Sequence, residues 1–358
     1  MEYENTVGLS EQTTLLEPQE LSAYVRRAQE EYGYIVEGDP AMTRVIEDIA
    51  IFSRMNIIMT ILGEPGVGKE GAARLIHAFS EERGPFVAVN MAGISPSLIE
   101  SELFGHVQGA FTNADDDREG RFEQISKGGT LFLDEIGDLP IEKQGVFLRV
   151  LAQRIFHRVG DNEEVGYSGR VVCATNADWE NAVQLGKIRQ DLHGRLSACT
   201  LQLPPFRTRT IEHRTALISH FVKCMEQEVK HPLRLSPEAL QVLLAINDNN
   251  NNVREVENVI RRSAAYAACQ NYSIEMHHVQ RALRGSSSVE SSPAQSASTI
   301  MKPLVEMHGL GDAMELVKRQ VVRDALRRNC GNICQTANEL RLDRHNLQRL
   351  LKNWDMKK

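Results

Sequence analysis

The sequence predicts an α/β domain on a mostly parallel sheet, then a smaller all-helical domain, then a separate all-α unit at the end of the chain. Three observations carry this. From about Ile35 to Leu203, short apolar runs alternate with helical stretches, the pattern of parallel strands buried on both faces. From about Thr208 to Arg284 only helical periodicity remains. Residues 285–303 then hold seven serines and almost no large apolar side chain, the composition of a flexible linker. The division expected is an arm at 1–34, the α/β domain at 35–207, the helical domain at 208–284, the linker at 285–311 and a terminal helical unit at 312–358.

In chain order, the acidic arm carries one weak helical pattern, Leu21, Tyr24, Val25 and Ala28, and is too short for a sensory domain. Four runs read as strands: "NIIMTILG", "PFVAVN", "GGTLFLDE" and "RVVCATN". Between them, "EGAARLIHAFSEE" and "EKQGVFLRVLAQR" read as helices. In the helical domain Leu217, Ile218, Phe221 and Val222 share a face. Ser236 before Pro237 marks a second helix start, and "VREVENVIRRSAAYAA" gives a third helix. There are no internal repeats.

Bulk properties narrow the class. The chain has 358 residues, room for two or three domains at roughly 150 residues each. No apolar run approaches the length of a membrane span. The start, "MEYENTVGLSEQ", lacks the apolar core of a signal peptide, so a cytoplasmic protein is expected. The six cysteines form no CxxC pair and read as buried free thiols; Cys330 and Cys334 alone make a poor metal site. From Asp312 onward eleven Lys and Arg face six Asp and Glu, a balance of +5. Against −7 for the whole chain, that leaves −12 on the remainder. A basic tail on an acidic body points to a polyanion-binding module.

The chemistry is concentrated in two motifs. "GEPGVGKE" follows the first strand and opens a helix, the context of a phosphate loop. Gly63, Glu64, Gly66, Gly68, Lys69 and Glu70 are therefore candidate nucleotide-binding residues. The glycines let backbone N–H groups converge on phosphate oxygens, and Lys69 reaches the β- and γ-phosphates. Glu70 stands where the generic loop has Ser or Thr. "GGTLFLDE" ends in Asp134, suited to Mg²⁺, and Glu135, suited to polarising an attacking water. Both would emerge at the carboxyl end of a parallel strand, where open α/β sheets bind ligands. Asn176 closes the fourth strand and could position water or sense the γ-phosphate.

At this point the chain resembles the AAA+ ATPases that activate sigma-54 RNA polymerase, the bacterial enhancer-binding proteins. The matching text spans roughly residues 35–284. It includes "GEPGVGKEGAARLIHAFS", "SELFGHVQGAFTNA", "GRFEQISKGGTLFLDEIGDLP", "IRQDLHGRL", "LPPFR" and "NVREVEN". A phosphate loop ending Gly-Lys-Glu is usual there, so Glu70 is compatible with ATP. The resemblance implies further roles. Asn90 pairs with the catalytic glutamate, and Asn176 is a first sensor. Arg189 and Arg195 reach a neighbouring subunit's γ-phosphate, and Arg254 is a second sensor. An arginine supplied in trans implies a ring, typically a hexamer.

The resemblance also explains "GHVQGAFTNADDD", a stretch with a phenylalanine in a flexible small-residue setting. It implies a loop that touches sigma-54 through Phe111 and Thr112, with Gly109 and Ala110 supplying freedom and close approach. Phe111 is accordingly expected to lack a local core. The chain departs from the family at Asn113, which replaces a glycine, and at Asn249, Asn250 and Asn251, which replace Trp-Pro-Gly. These departures leave open a divergent DNA-binding regulator that binds ATP without remodelling sigma-54 polymerase, or one active only with a paralogous subunit.

The tail "NICQTANELRLDRHNLQRLLKNW" reads as a Fis-like helix-turn-helix with Asp343 as helix cap. Its second helix presents Arg344, His345, Asn346, Gln348, Arg349 and Lys352 to DNA. The preceding helix, with Met314, Val317, Val321, Val322 and Ala325 along one face, would dimerise it. The expectation is a homo-oligomeric, ATP-hydrolysing transcription activator using ATP and Mg²⁺. Its partners would be sigma-54 RNA polymerase, an upstream DNA site and a regulatory protein, with no membrane.

Overall fold

The computed structural model describes residues 15–80, 84–112, 114–176, 179–246 and 252–286. The chain divides into two units, 1–283 and 284–358. The helix-turn-helix, its six DNA-facing candidates, Asn113 and Asn249–Asn251 lie outside the described residues.

The first unit opens with α1 (Pro18–Tyr32) and α2 (Pro40–Phe52), each with proline in its first turn. Asp39 caps α2 by accepting from the N–H groups of Ala41 (2.7 Å) and Met42 (3.3 Å). There follow β1 (Met59–Leu62), α3 (Lys69–Phe79), β2 (Phe86–Asn90) and α4 (Ile99–Phe104). A two-residue ribbon, β3 (Gly105–His106) with β4 (Arg118–Glu119), brackets the Phe111 loop. After α5 (Arg121–Gln124) come β5 (Thr130–Asp134) and α6 (Ile141–Gln153), then the ribbon β6 (Ile155–Phe156) and β7 (Val165–Gly166). β8 (Arg170–Thr175), α7 (Trp179–Gln184), α8 (Gln190–Leu196) and β9 (Thr200–Gln202) complete the α/β part.

The main sheet has the order β2-β5-β8-β1-β9, with every pairing parallel. All four predicted strands are present. β9 is additional: at three residues it is too short to show a period, and its edge position along β1 is a tertiary fact. β8 is buried at every position and β5 at all but its last, as continuous apolar strands require. Two apolar clusters cover the sheet, one around Ile46, Ile61 and Ile76, the other around Phe122, Leu133 and Phe147.

The expected arm differs from the structure over its described part. Leu16, Leu21 and Ala28 belong to the first cluster, so α1 packs on α2 as part of the body. Burying a leucine fully stabilises by about 1.5–3 kcal/mol, enough to fix a helix with only a weak pattern. The cysteine expectation is also corrected. Among the four described thiols, all free, Cys173 is buried, Cys199 and Cys224 are half-buried, and Cys269 is exposed.

The second domain is helical as predicted: α9 (Ile211–Val229), α10 (Pro237–Leu244), α11 (Asn252–Ala268) and α12 (Met276–Ser286). Two-residue strands β10 (Arg234–Leu235) and β11 (Ser273–Ile274) pair beside them. Ser236 caps α10 through the N–H of Ala239 at 3.2 Å. A third cluster around Ile218, Val259 and Ile260 forms the core of this helical domain.

Candidate functional site

The carboxyl ends of β1, β2 and β5 open into a cleft of about 300 Å³. Gly66, Gly68, Lys69 and Glu70 line one side, Asn90, Asp134 and Glu135 the floor, and Val253, Arg254 and Glu257 of α11 the far wall. Parallel pairing explains the floor, because the register sets Asn90 directly beside Asp134. The turn into α3 passes through Gly68 at φ +107°, a backbone state that L side chains rarely adopt. The first N–H groups of α3 have no partner within the helix, and an anion in the cleft would satisfy them.

Lys69 is 7% exposed. Its Nζ donates to the carbonyl of Gly63 at 3.0 Å and stands 3.8 Å from Glu135 Oε1. Glu135 sits at φ +53° although it is not glycine, a sparsely populated state for a functional carboxylate. Burial raises its pKa, against the opposing pull of Lys69 and an N–H donated by the Asn176 backbone. Burial raises Asp134 as well, again opposed by Lys69. Two neighbouring carboxylates, partly desolvated and facing one lysine, suit a hard divalent cation. Among the described residues no three acidic, His or Cys side chains cluster as metal ligands. Mg²⁺ held by one or two carboxylates plus substrate phosphates needs no such cluster.

Other candidates are placed differently. The Asn90 amide oxygen accepts from Ala92 N at 3.0 Å within its own turn, and the residue lines the cleft together with Glu135. Asn176 meets Glu135 through its backbone N–H. Glu70, in the cleft wall, also takes Arg74 at 2.8 Å along the helix surface. Glu64 turns away from the cleft. Its carboxylate accepts both Nη atoms of Arg207, at 2.6 and 2.5 Å, and Asn252 Nδ2 at 2.7 Å. Arg254 joins the wall with its backbone N–H donated to Gly66 O at 3.1 Å.

Arg189 and Arg195 lie outside the cleft lining. Arg189 stands at the start of α8, half-exposed and paired with Asp191 at 2.7 Å. Its backbone is fixed by Gln144, a buried amide that accepts from Arg189 N at 2.8 Å and donates to the carbonyls of Leu139 and Lys187. Arg195 donates to Leu151 O at 3.2 Å from the wall of a separate pocket shared with Arg154 and Tyr167.

In the Phe111 loop, Gly109 has φ +80° and donates to Ala114 O at 2.9 Å, while Ala114 N returns to Phe111 O at 3.0 Å. Asp117 accepts from Gln108 N at 2.7 Å. Phe111 is 38% exposed. It is not bare, however: its ring lies edge-on to that of buried His106, with centroids 4.9 Å apart. His106 is in turn held by Ser101 Oγ at 2.8 Å. The expectation of no local core is corrected to a half-seated ring.

Sequence reasoning missed Asn252, Arg207 and Gln144. Asn252 carried a signal, since Asn just before an apolar-periodic helix is a cap. Arg207 closes the stretch "LPPFR", but nothing local marks its pairing with Glu64 or the role of Gln144.

Comparison with known proteins agrees with this architecture. Residues 35–202 match the Sigma-54 interaction domain and residues 212–296 the AAA+ ATPase lid domain. The DNA-binding transcriptional regulator NtrC of Rhizobium meliloti is 37% identical over 338 residues, which cover 89% of this chain and 69% of that protein. The anaerobic nitric oxide reductase transcription regulator NorR of Aeromonas salmonicida is 37% identical over 324 residues, covering 89% of this chain and 62% of that one. This chain thus spans only part of each relative's length. Among solved structures, NtrX from Brucella abortus in complex with ADP superposes with a TM-score of 0.67 at 28% identity, covering 94% of this chain and 72% of that chain. Its complex with ATP gives 0.65. The matches cover both the sheet that carries the phosphate loop and the helical lid beside it, and the chain belongs to the sigma-54 activators, a family of AAA+ ATPases that regulate transcription.

Proposed function

We propose that this chain hydrolyses ATP in the cleft beneath α11 and uses the energy to drive Phe111 and Thr112 against sigma-54 polymerase, while its tail holds an upstream DNA site. The observation that carries this reading is the convergence of Lys69, Asp134, Glu135 and Arg254 on one cleft at the carboxyl edge of the sheet. Lys69 leaves the Gly63 carbonyl for the phosphates. Glu135 takes the proton of the attacking water, its ionised form kept available by Lys69 and the Asn176 N–H. Mg²⁺, held by Asp134, would neutralise charge on the β- and γ-phosphates. Arg189 and Arg195, both outside this cleft, are read as serving a neighbour's site in a homo-hexamer. At the other end, Phe111 exchanges its contact with His106 for one with the partner. The protein is read as cytoplasmic; among the described residues no helix is long and apolar enough to cross a membrane.

The deciding experiment is transcription in vitro from a sigma-54 promoter. Activation is expected with ATP and not with a non-hydrolysable analogue. Phe111→Ala is expected to keep ATP turnover within about twofold and to lose transcription, because an aromatic anchor at an interface centre contributes roughly 2 kcal/mol or more. Open promoters with the analogue would refute the hydrolysis reading. Persistent transcription by Phe111→Ala would refute the loop reading.

A further inference from the structure

Asn252 joins three segments beside the cleft through one side chain. It is 3% exposed and sits at φ +49°, a conformation asparagine tolerates better than most residues. Its Oδ1 accepts from Phe206 N at 2.7 Å and from Val253 N at 3.1 Å. Its Nδ2 donates to Glu64 Oε2 at 2.7 Å. One amide thereby ties the phosphate loop, the connection between sheet and lid, and the first turn of α11. Arg207, in that same connection, closes a bidentate pair on Glu64, the geometry that gives guanidinium–carboxylate contacts their directional strength. Two residues further along, Arg254 N donates to Gly66 O, so the loop and α11 are stitched at a second point.

We infer that Asn252 is a positioning residue: with Glu64 and Arg207 it docks α11 on the phosphate loop and so sets where Arg254 stands over bound nucleotide. The inference rests on the reading of Arg254 as a nucleotide-facing residue. It gives Glu64 a role distinct from phosphate binding, since its carboxylate is engaged by Arg207 and Asn252 and does not line the cleft. The link also passes information both ways. A change in the loop on loss of the γ-phosphate moves Glu64, and Glu64 moves the end of the lid helix.

The substitution Asn252→Asp separates positioning from folding. It keeps the side-chain shape and an oxygen for the Phe206 and Val253 N–H groups, and aspartate also tolerates positive φ. It replaces only the donor to Glu64, setting two carboxylates face to face. Steady-state turnover of ATP is therefore compared for the full chain, Asn252→Asp, Arg254→Ala and the double variant, with thermal melting as the control for folding. Asn252→Asp is expected to lower kcat on the order of tenfold or more, as loss of a hydrogen bond to a charged group allows, with a smaller change in KM. The double variant should be no worse than Arg254→Ala alone, because both act through one group. Adding Glu64→Gln to Asn252→Asp restores a donor–acceptor pair and should recover much of the loss. Wild-type turnover in Asn252→Asp beside a defective Arg254→Ala overturns the inference alone, and so do multiplying losses in the double variant. Normal turnover in Arg254→Ala removes the reading beneath it and the inference together. If Asn252→Asp melts early, Glu64→Ala alone removes the acceptor for both Asn252 and Arg207 from a part-exposed position, and its unchanged kcat would be equally fatal.

Discussion

At the scale of one residue, Glu135 shows what the proposed role of base asks of the fold. A free glutamate is ionised at neutral pH but too weak a base to be an efficient proton acceptor. Burial raises the pKa of Glu135, and Lys69 at 3.8 Å limits the rise. Its backbone holds a positive φ at the cleft floor. Two outcomes are expected. Glu135→Gln should lower turnover by about 10²–10⁴-fold, the usual contribution of a general base, while nucleotide binding survives because Lys69 and the loop are untouched. The pH–rate profile should carry an acid limb with a midpoint above that of free glutamate. The base must be ionised, and the buried carboxyl holds its proton to higher pH. A Gln variant that turns over normally, or a limb below the free value, would remove Glu135 from the base role. That Asp134, Glu135 and Lys69 meet in one cleft was legible in the sequence, because they belong to short motifs whose strand and helix context can be read locally. Asn252, Arg207 and Gln144 were not assigned, because what they do depends on partners 43 to 188 positions away.

Elements carry the next level, and the joint between α2 and α9 is the instructive one. Four strands and the principal helices of the sheet domain were legible from periodicity. β9 and the packing of α1 were not, since an edge position and a docked amphipathic helix are tertiary outcomes. At the joint, Asp39 caps α2 with one oxygen and accepts Thr210 N at 2.9 Å with the other. Thr210 in turn caps α9 through His213 N. Beneath these caps Arg209, 5% exposed, donates to Val67 O of the phosphate loop at 3.1 Å and to His213 Nε2 at 3.2 Å. Burial first, and the Arg209 guanidinium second, hold His213 down at about 4. Asp39 pulls the other way without prevailing. Because the folded value lies below the unfolded one, near 6.5, the unfolded chain binds the extra proton first. The stabilising contribution is full above about pH 6.5 and is lost as pH falls towards 4. A shift of this size corresponds to roughly 3 kcal/mol at most. Thermal melting from pH 7.5 to 4.5 should therefore fall more steeply for the native chain than for His213→Gln. Parallel curves would show that this histidine does not set the acid sensitivity of the joint.

At the scale of the whole molecule, the two arginines outside the cleft decide whether a single chain can be a complete enzyme. Gln144, buried and bonded to three backbone groups, fixes Arg189 at the start of α8, while the guanidinium itself stays at the surface on Asp191. That surface pair is exposed, so a triphosphate offered by another copy could displace Asp191 at little cost. If catalysis takes Lys69 from one subunit and Arg195 from the next, defects in the two must complement. Lys69→Ala and Arg195→Ala should each be inactive alone. Mixed in equal amounts they build rings in which some sites join an intact lysine to an intact arginine, about one site in four for random head-to-tail assembly. Turnover should then recover to about a quarter of the wild-type value and fall on dilution as rings dissociate. If both residues served the same subunit's site, every site in the mixture would keep one defect and no activity would return. The measured fraction thus distinguishes an engine assembled from neighbours from one contained in each chain.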